Sequence, residues 1–152
     1  MALRILGIDY GDRRIGLAMG DTEVAIATGL PTLERPLARR SLGDGVSPTA
    51  DITEPLRRLC REQGIERIVV GVPVNMDGSM GQRARLSLDF AEQLRAELGL
   101  EVETWDERLT TRQADRAMIE GDLSRKKRKG RVDRLAAQLL LQSYMDAQRR
   151  AH

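Results

Sequence analysis

Hydrophobic positions recur along the chain in two periods. Residues 3–10 are apolar on both faces with only weak alternation, as in a central strand. Gly11-Asp12 is a turn signal, and Arg14 to Gly20 reads as a second strand, so the two form a hairpin. Val24 to Thr28 predicts a third strand or its beginning. Residues 34–50 hold Pro36, Gly43, Gly45, Pro48 and several arginines, a loop composition and a long one for a compact domain.

Helical spacing then takes over. Thr53 predicts an N-cap with Pro55 in the first turn, and Ile52, Leu56, Leu59 and Cys60 repeat at helical intervals up to Gly64. Arg67 to Pro73 reads as a buried strand, and Gly78 and Gly81 punctuate the loop after it. Residues 82–98 predict a helix with Ala84, Leu88, Ala91, Leu94 and Leu98 on its inner stripe. Residues 100–106 predict a further strand, and Thr110 to Glu120 a helix stopped by Gly121. Val132, Leu135, Ala136, Leu139 and Leu140 predict a last amphipathic helix running to about Gln148. A hairpin or meander followed by strand–helix alternation implies an α/β domain with a mixed sheet. The 152 residues fit a single domain, residues 1–152.

Composition narrows the function classes. One Trp, two Tyr and one Phe exclude a broad aromatic platform for stacking bases. One Cys and one His exclude a structural zinc cluster. Cys60 reads as a buried filler, with no histidine placed to activate it. No apolar run reaches about 18 residues, so we expect a cytoplasmic protein without a membrane partner. The net charge is only +2, but Arg125, Lys126, Lys127, Arg128, Lys129 and Arg131 stand within seven positions. Basicity is therefore local, and the segment suits a polyanion.

Three carboxylates occupy structural punctuation points. Asp9 closes the first apolar strand-like run, Glu107 closes a second one over Leu100 to Arg108, and Asp133 opens the last helix directly after the basic segment. Carboxylates brought together from such places suit a hard divalent cation that also binds substrate phosphate. Each has a plainer reading as well. Asp9 can cap its own turn. Asp133 in a first helical turn is favoured by the helix dipole alone, by about 0.3–1 kcal/mol. Glu107 competes with Asp106, which on a strand points to the opposite face. Arg13, Arg14 and Arg108 are candidate phosphate contacts beside these positions.

Four stretches in order carry a resemblance. They are Gly7-Ile8-Asp9-Tyr10-Gly11 with Arg14-Ile15-Gly16-Leu17-Ala18; Val70-Gly71-Val72-Pro73 with Asn75-Met76-Asp77-Gly78; Asp106-Glu107-Arg108-Leu109-Thr110-Thr111; and Lys129-Gly130-Arg131-Val132-Asp133 with Ala136-Ala137. Together they resemble the YqgF/RuvX family, Holliday-junction-resolvase-like proteins also described as pre-16S ribosomal RNA nucleases. The resemblance implies a ribonuclease H-like fold, a five-stranded mixed sheet whose first three strands are antiparallel, flanked by helices. It implies catalytic metal ligands at Asp9, Glu107 and Asp133, with Mg²⁺ or Mn²⁺ as cofactor. It implies a nuclease acting on precursor rRNA or branched DNA. Junction resolution needs two symmetric cuts and hence a homodimer. Residues 36–50 are longer than the family's usual connection. Ala136 and Ala137 stand where RuvC resolvases carry a fourth carboxylate, so that chemistry does not transfer.

Two other functions stay open from the sequence. A non-catalytic RNA- or ribosome-binding protein could keep the fold. An ATP-binding domain of the actin type shares a Gly7-Ile8-Asp9-Tyr10-Gly11-like phosphate loop, but needs two such domains to enclose a nucleotide.

Overall fold

The computed structural model describes residues 2–11, 13–35, 47–110 and 125–151, with side chains in the last stretch from Leu135 to Arg150. The helix expected over 110–120 and most of the loop over 36–50 lie outside the described residues. Five strands form one sheet: β1 (Arg4–Tyr10), β2 (Arg14–Asp21), β3 (Thr28–Glu34), β4 (Arg67–Val72) and β5 (Glu101–Asp106). The helices are α1 (Thr53–Gln63), α2 (Gln82–Leu98) and α3 (Arg125–Ala151). Strand order is β3-β2-β1-β4-β5, with β1–β2 and β2–β3 antiparallel and β1–β4 and β4–β5 parallel. This is the expected mixed sheet, and it makes β1 the central strand.

Strand alternation divides the core into two layers. Leu6, Ile8 and Tyr10 face α1 and α2, where they meet Leu56, Phe90 and Leu94. Ile5 and Gly7 face α3, where Ala137, Leu141 and Tyr144 pack. Tyr10 stacks on Phe90 at 4.1 Å between ring centroids, which anchors α2 under the end of β1. Burial pushes the Cys60 thiol up to about 11, so it is a neutral filler as expected. The α2 boundaries match the hydrophobic period, but the buried face is Ala84, Ser87, Phe90, Ala91 and Leu94, and Leu88 lies half-buried at its flank.

Three expectations are corrected. The third strand begins at Thr28 rather than Val24. Asp21 Oδ1 accepts the amides of Glu23 and Val24 at 3.0 and 2.7 Å, which closes a turn, and Ala25 takes φ 57°. The polar backbone groups of residues 25–27 are then taken by α3: Gln142 Nε2 donates to the Ala25 carbonyl at 2.8 Å, Gln142 Oε1 accepts from Ala27 N at 2.9 Å, and Gln138 Nε2 donates to the Ala27 carbonyl at 3.1 Å. Val24 and Ile26 have strand propensity, yet are 60% and 63% exposed. Thr53 is the first residue of α1 and not its cap; Ile52 holds the cap position, and the Thr53 hydroxyl donates to the Thr49 carbonyl and to Glu97.

The third correction bears on function. α3 begins at Arg125, not at Val132, so the basic segment is helical and Asp133 lies two turns inside the helix. The dipole account of Asp133 fails, because that effect fades beyond the first turn.

α3 can lie close to the sheet because its strands present small residues there. A Cβ added at Gly7 would stand 2.9 Å from Leu141 Cβ and 3.4 Å from the Ala137 carbonyl. We expect Gly7→Ala to cost about 1–3 kcal/mol through overpacking, read by urea denaturation; unchanged stability would mean that α3 can back away freely.

Candidate functional site: carboxylates at the end of the central strands

Asp9 is half-buried near the C-terminal end of β1, on the same sheet face as Ile5 and Gly7, which is the face that α3 covers. β1 and β4 pair in parallel with Gly7 beside Val69, so two residues further Asp9 is level with Gly71. Glu107 reaches this place from β5. It is not a strand residue but the first residue of a single 3-10 turn, Glu107–Leu109. Its side chain lies over Gly71: a Cβ there would stand 2.7 Å from Glu107 Oε1 and 3.0 Å from Leu140 Cδ2. The space that Gly71 leaves is thus filled by the carboxylate. Asp9 and Glu107 share one sheet face, at the ends of β1 and β5 on either side of β4.

Position 133 approaches from α3. Gly20, paired with Ile5, faces Met145, whereas Gly7 faces Leu141 and Ala137. Moving toward the end of β1 therefore moves back along α3. Asp9 is two residues past Gly7, about 6.6 Å. Position 133 is four residues before Ala137, about 6 Å along the helix and on the same stripe. The side chains of 125–134 lie outside the described residues, and among the described residues no three His, Cys, Asp or Glu side chains cluster. Two carboxylates on one sheet face, that of Glu107 lying over Gly71, suit a divalent cation of the Mg²⁺ type.

Asp106 has a different task. Along β5, Val102, Thr104 and Asp106 alternate with Glu103 and Trp105, and Trp105 packs edge-on against Tyr144 of α3 at 5.5 Å. Asp106 thus faces away from α3. Its carboxylate accepts from Arg108 N at 2.9 Å and from Arg108 Nη2 at 2.7 Å. Arg108 Nη1 donates in turn to the Asn75 carbonyl at 3.4 Å. This clamp fixes the 3-10 turn that starts at Glu107 and ties it to the loop after β4. In that loop Asp77 Oδ1 accepts from Ser79 N at 2.9 Å, and Gly78 takes φ 88°. Arg108, read from the sequence as a phosphate contact, is engaged in this clamp. Arg13 is exposed at the β1–β2 turn, and Arg14 forms a 3.8 Å ion pair with Glu34. Both stand at the Asp9 end of the sheet.

Arg35 carries a role that sequence reasoning missed. It is 1% exposed, donates to Tyr10 Oη at 2.9 Å and to the Pro48 carbonyl at 3.2 Å, and lies over the Tyr10 ring at 5.4 Å. Its backbone amide donates to the Arg13 carbonyl at 2.9 Å. Arg35 therefore ties Pro48 and the β1–β2 turn to Tyr10. A lone arginine before a proline carries no pattern that marks it.

The Arg108 guanidinium holds the Asp106 carboxyl below the ordinary carboxylate range, helped by the Arg108 amide and opposed by partial burial. The stabilising effect of this link is fully present above the unfolded value near about 3.9 and is lost as pH falls through the depressed folded value. We expect Arg108→Ala to raise the Asp106 pKa toward the ordinary range in a carboxyl-carbon NMR titration; an unmoved value would remove the clamp from the description.

Comparison with known proteins follows this geometry. A family profile described as "RuvX: Holliday junction resolvase" matches residues 3–147. A protein of Halothermothrix orenii named "Putative pre-16S rRNA nuclease" is 43% identical over 150 residues, 99% of each chain. One of the same name from Clostridium novyi is 41% identical over 145 residues, 95% of this chain and 99% of that one. Among solved structures, Thermus thermophilus RuvC in complex with Holliday junction substrate superposes with a TM-score of 0.60 at 16% identity, covering 97% of this chain and 96% of that one. That likeness shows the ribonuclease H-like fold. With a profile spanning nearly its whole length and full-length relatives above 40% identity, the chain belongs to the RuvX family.

Proposed function

We propose that this protein is a nuclease that hydrolyses phosphodiester bonds in structured nucleic acid, using a divalent cation, Mg²⁺ or Mn²⁺. The observation that carries this reading is the Glu107 carboxylate seated over Gly71, level with Asp9 on one sheet face. Asp9, Glu107 and Asp133 would hold the cation, with Asp9 central because β1 is the middle strand. A cation there would supply an activated water and neutralise charge on the leaving oxygen.

The chain's own residues supply the rest. The Asp106–Arg108 clamp positions Glu107. Arg13, Arg14 and the segment from Arg125 to Arg131 surround the same end of the sheet and suit substrate phosphates. Arg108 adds positive charge at that rim while holding Asp106. The relatives' name favours precursor 16S rRNA as substrate, and the profile's description a four-way DNA junction. The second requires a homodimer, because two strands must be cut symmetrically.

The test is cleavage of precursor 16S rRNA and of a four-way junction, with and without each metal, alongside the protein's mass in solution. We expect Asp9→Asn to fold normally and to lose two orders of magnitude or more in rate, as several kcal/mol of transition-state stabilisation disappear. Glu107→Gln should be far more harmful than Asp106→Asn. Gly71→Ala should reproduce the Glu107 defect, because its methyl group occupies the place of the carboxylate. Full activity in folded Asp9→Asn would leave a non-catalytic binding protein as the reading.

The basic segment gives an independent measurement. Neutralising Lys126, Lys127 and Arg128 together should weaken binding across unrelated sequences. It should also flatten the log–log salt dependence by about two to three units. An unchanged slope would mean that substrate phosphates do not meet this part of α3.

A further inference from the structure

At the far end of the β1–α3 seam lies a cleft of about 560 Å³. Its accessible apolar wall is Leu3, with Ile5 and Met145 buried beneath. Among the described residues its charged lining is Arg67 and Arg149, without a carboxylate side chain. Gln148 and Thr22 complete the rim, and Thr22 Oγ1 accepts from Leu3 N at 2.9 Å. From Ile5 to Asp9 is four strand residues, about 13 Å, so the cleft is separate from the carboxylates. Its volume falls within the roughly 300–1,000 Å³ of small-molecule sites.

Arg67 is built into place. Nη1 donates to Tyr144 Oη at 3.1 Å, and Nη2 donates to Glu101 at 3.1 Å. The Tyr144 hydroxyl donates to Glu103. Arg67 Nε is buried and has no acceptor among the described residues. A guanidinium held this way loses little freedom when an anion arrives. Glu101 offsets part of its charge from outside the cleft, whereas Arg149 is exposed on the last turn of α3.

We propose that this cleft binds a nucleotide, its phosphate between Arg67 and Arg149 and its base against Leu3. Arginine fits phosphate through charge-assisted hydrogen bonds. A base needs an apolar face and an edge partner, and the Gln148 amide offers both a donor and an acceptor. The choice of a nucleotide over another amphiphilic anion rests on the nuclease reading. The nucleotide could come from a free monophosphate or from the unpaired end of a strand.

The test uses the full chain in the presence of a chelator, so that cleavage cannot contribute. The four nucleoside 5′-monophosphates, the corresponding nucleosides and inorganic phosphate are titrated by calorimetry. Trp105 fluorescence gives a second readout, since Trp105 packs on Tyr144, which accepts from Arg67. At least one monophosphate should bind saturably, about tenfold or more tighter than its nucleoside or phosphate. Arg149→Glu, at an exposed position, should weaken it by about tenfold or more with an unchanged melting curve, and Gln148→Ala should weaken it less. Absence of saturable monophosphate binding would overturn the proposal. So would equal binding of phosphate alone, or binding that Arg149→Glu leaves unchanged. Competition in the Asp9→Asn protein by an oligonucleotide with an unpaired 5′ end would assign the source to a strand, and its absence to free monophosphate. If nucleotide binds but no substrate is ever cleaved, the nuclease reading falls while the cleft keeps its ligand.

Discussion

The close approach of α3 to the central strands is the constraint on which the rest of the structure depends. It is possible because Gly7, Gly20 and Gly71 offer no Cβ where Leu141, Met145 and Leu140 lie. A larger residue at Gly7 would meet Leu141 Cβ and the Ala137 backbone, which have little room to yield. The approach seals the second layer of the core around Ile5, Val69, Leu141 and Tyr144. It also sets the level at which each turn of α3 meets the sheet, and so brings position 133 to the end of β1. Packing and placement of the site are one interaction.

The two neighbouring carboxylates next to β5 illustrate how strand parity separates roles. Trp105 points toward α3 and Asp106 away from it, and Glu107, one residue on, returns to the α3 side. Chain direction changes there into a 3-10 turn, held by the Asp106–Arg108 link. Asp106 thus serves the scaffold and Glu107 the site. The lowered pKa of Asp106 comes from its arginine partner and is a mark of scaffold, not of chemistry.

The β1–α3 seam has two ends. At one, β1 and the turn after β5 bring Asp9 and Glu107 to one face of the sheet. This is the end at which parallel strands of an α/β sheet present their loops. At the other, the start of β1 and the last turn of α3 form a cleft lined by Leu3, Arg67 and Arg149.

The sequence alone determined the types of the described elements, the start of β4 and the bounds of α2, because these rest on local hydrophobic period and on turn signals such as Gly64. It also singled out Asp9 and Glu107, through motif order rather than through anything local to either residue. Tertiary structure decided what depends on partners remote in the chain. β3 starts late because Gln138 and Gln142, more than a hundred residues away, take the backbone groups of Ala25 and Ala27. Gly71 matters only because Glu107 and Leu140 fold over it, and Arg35 only because Tyr10 and Pro48 meet it. α3 extends back to Arg125 although the apolar stripe begins at Val132, since a basic stretch carries no hydrophobic period to mark its helix. Periodicity reports the face an element buries; it does not report which distant residue will lie against that face.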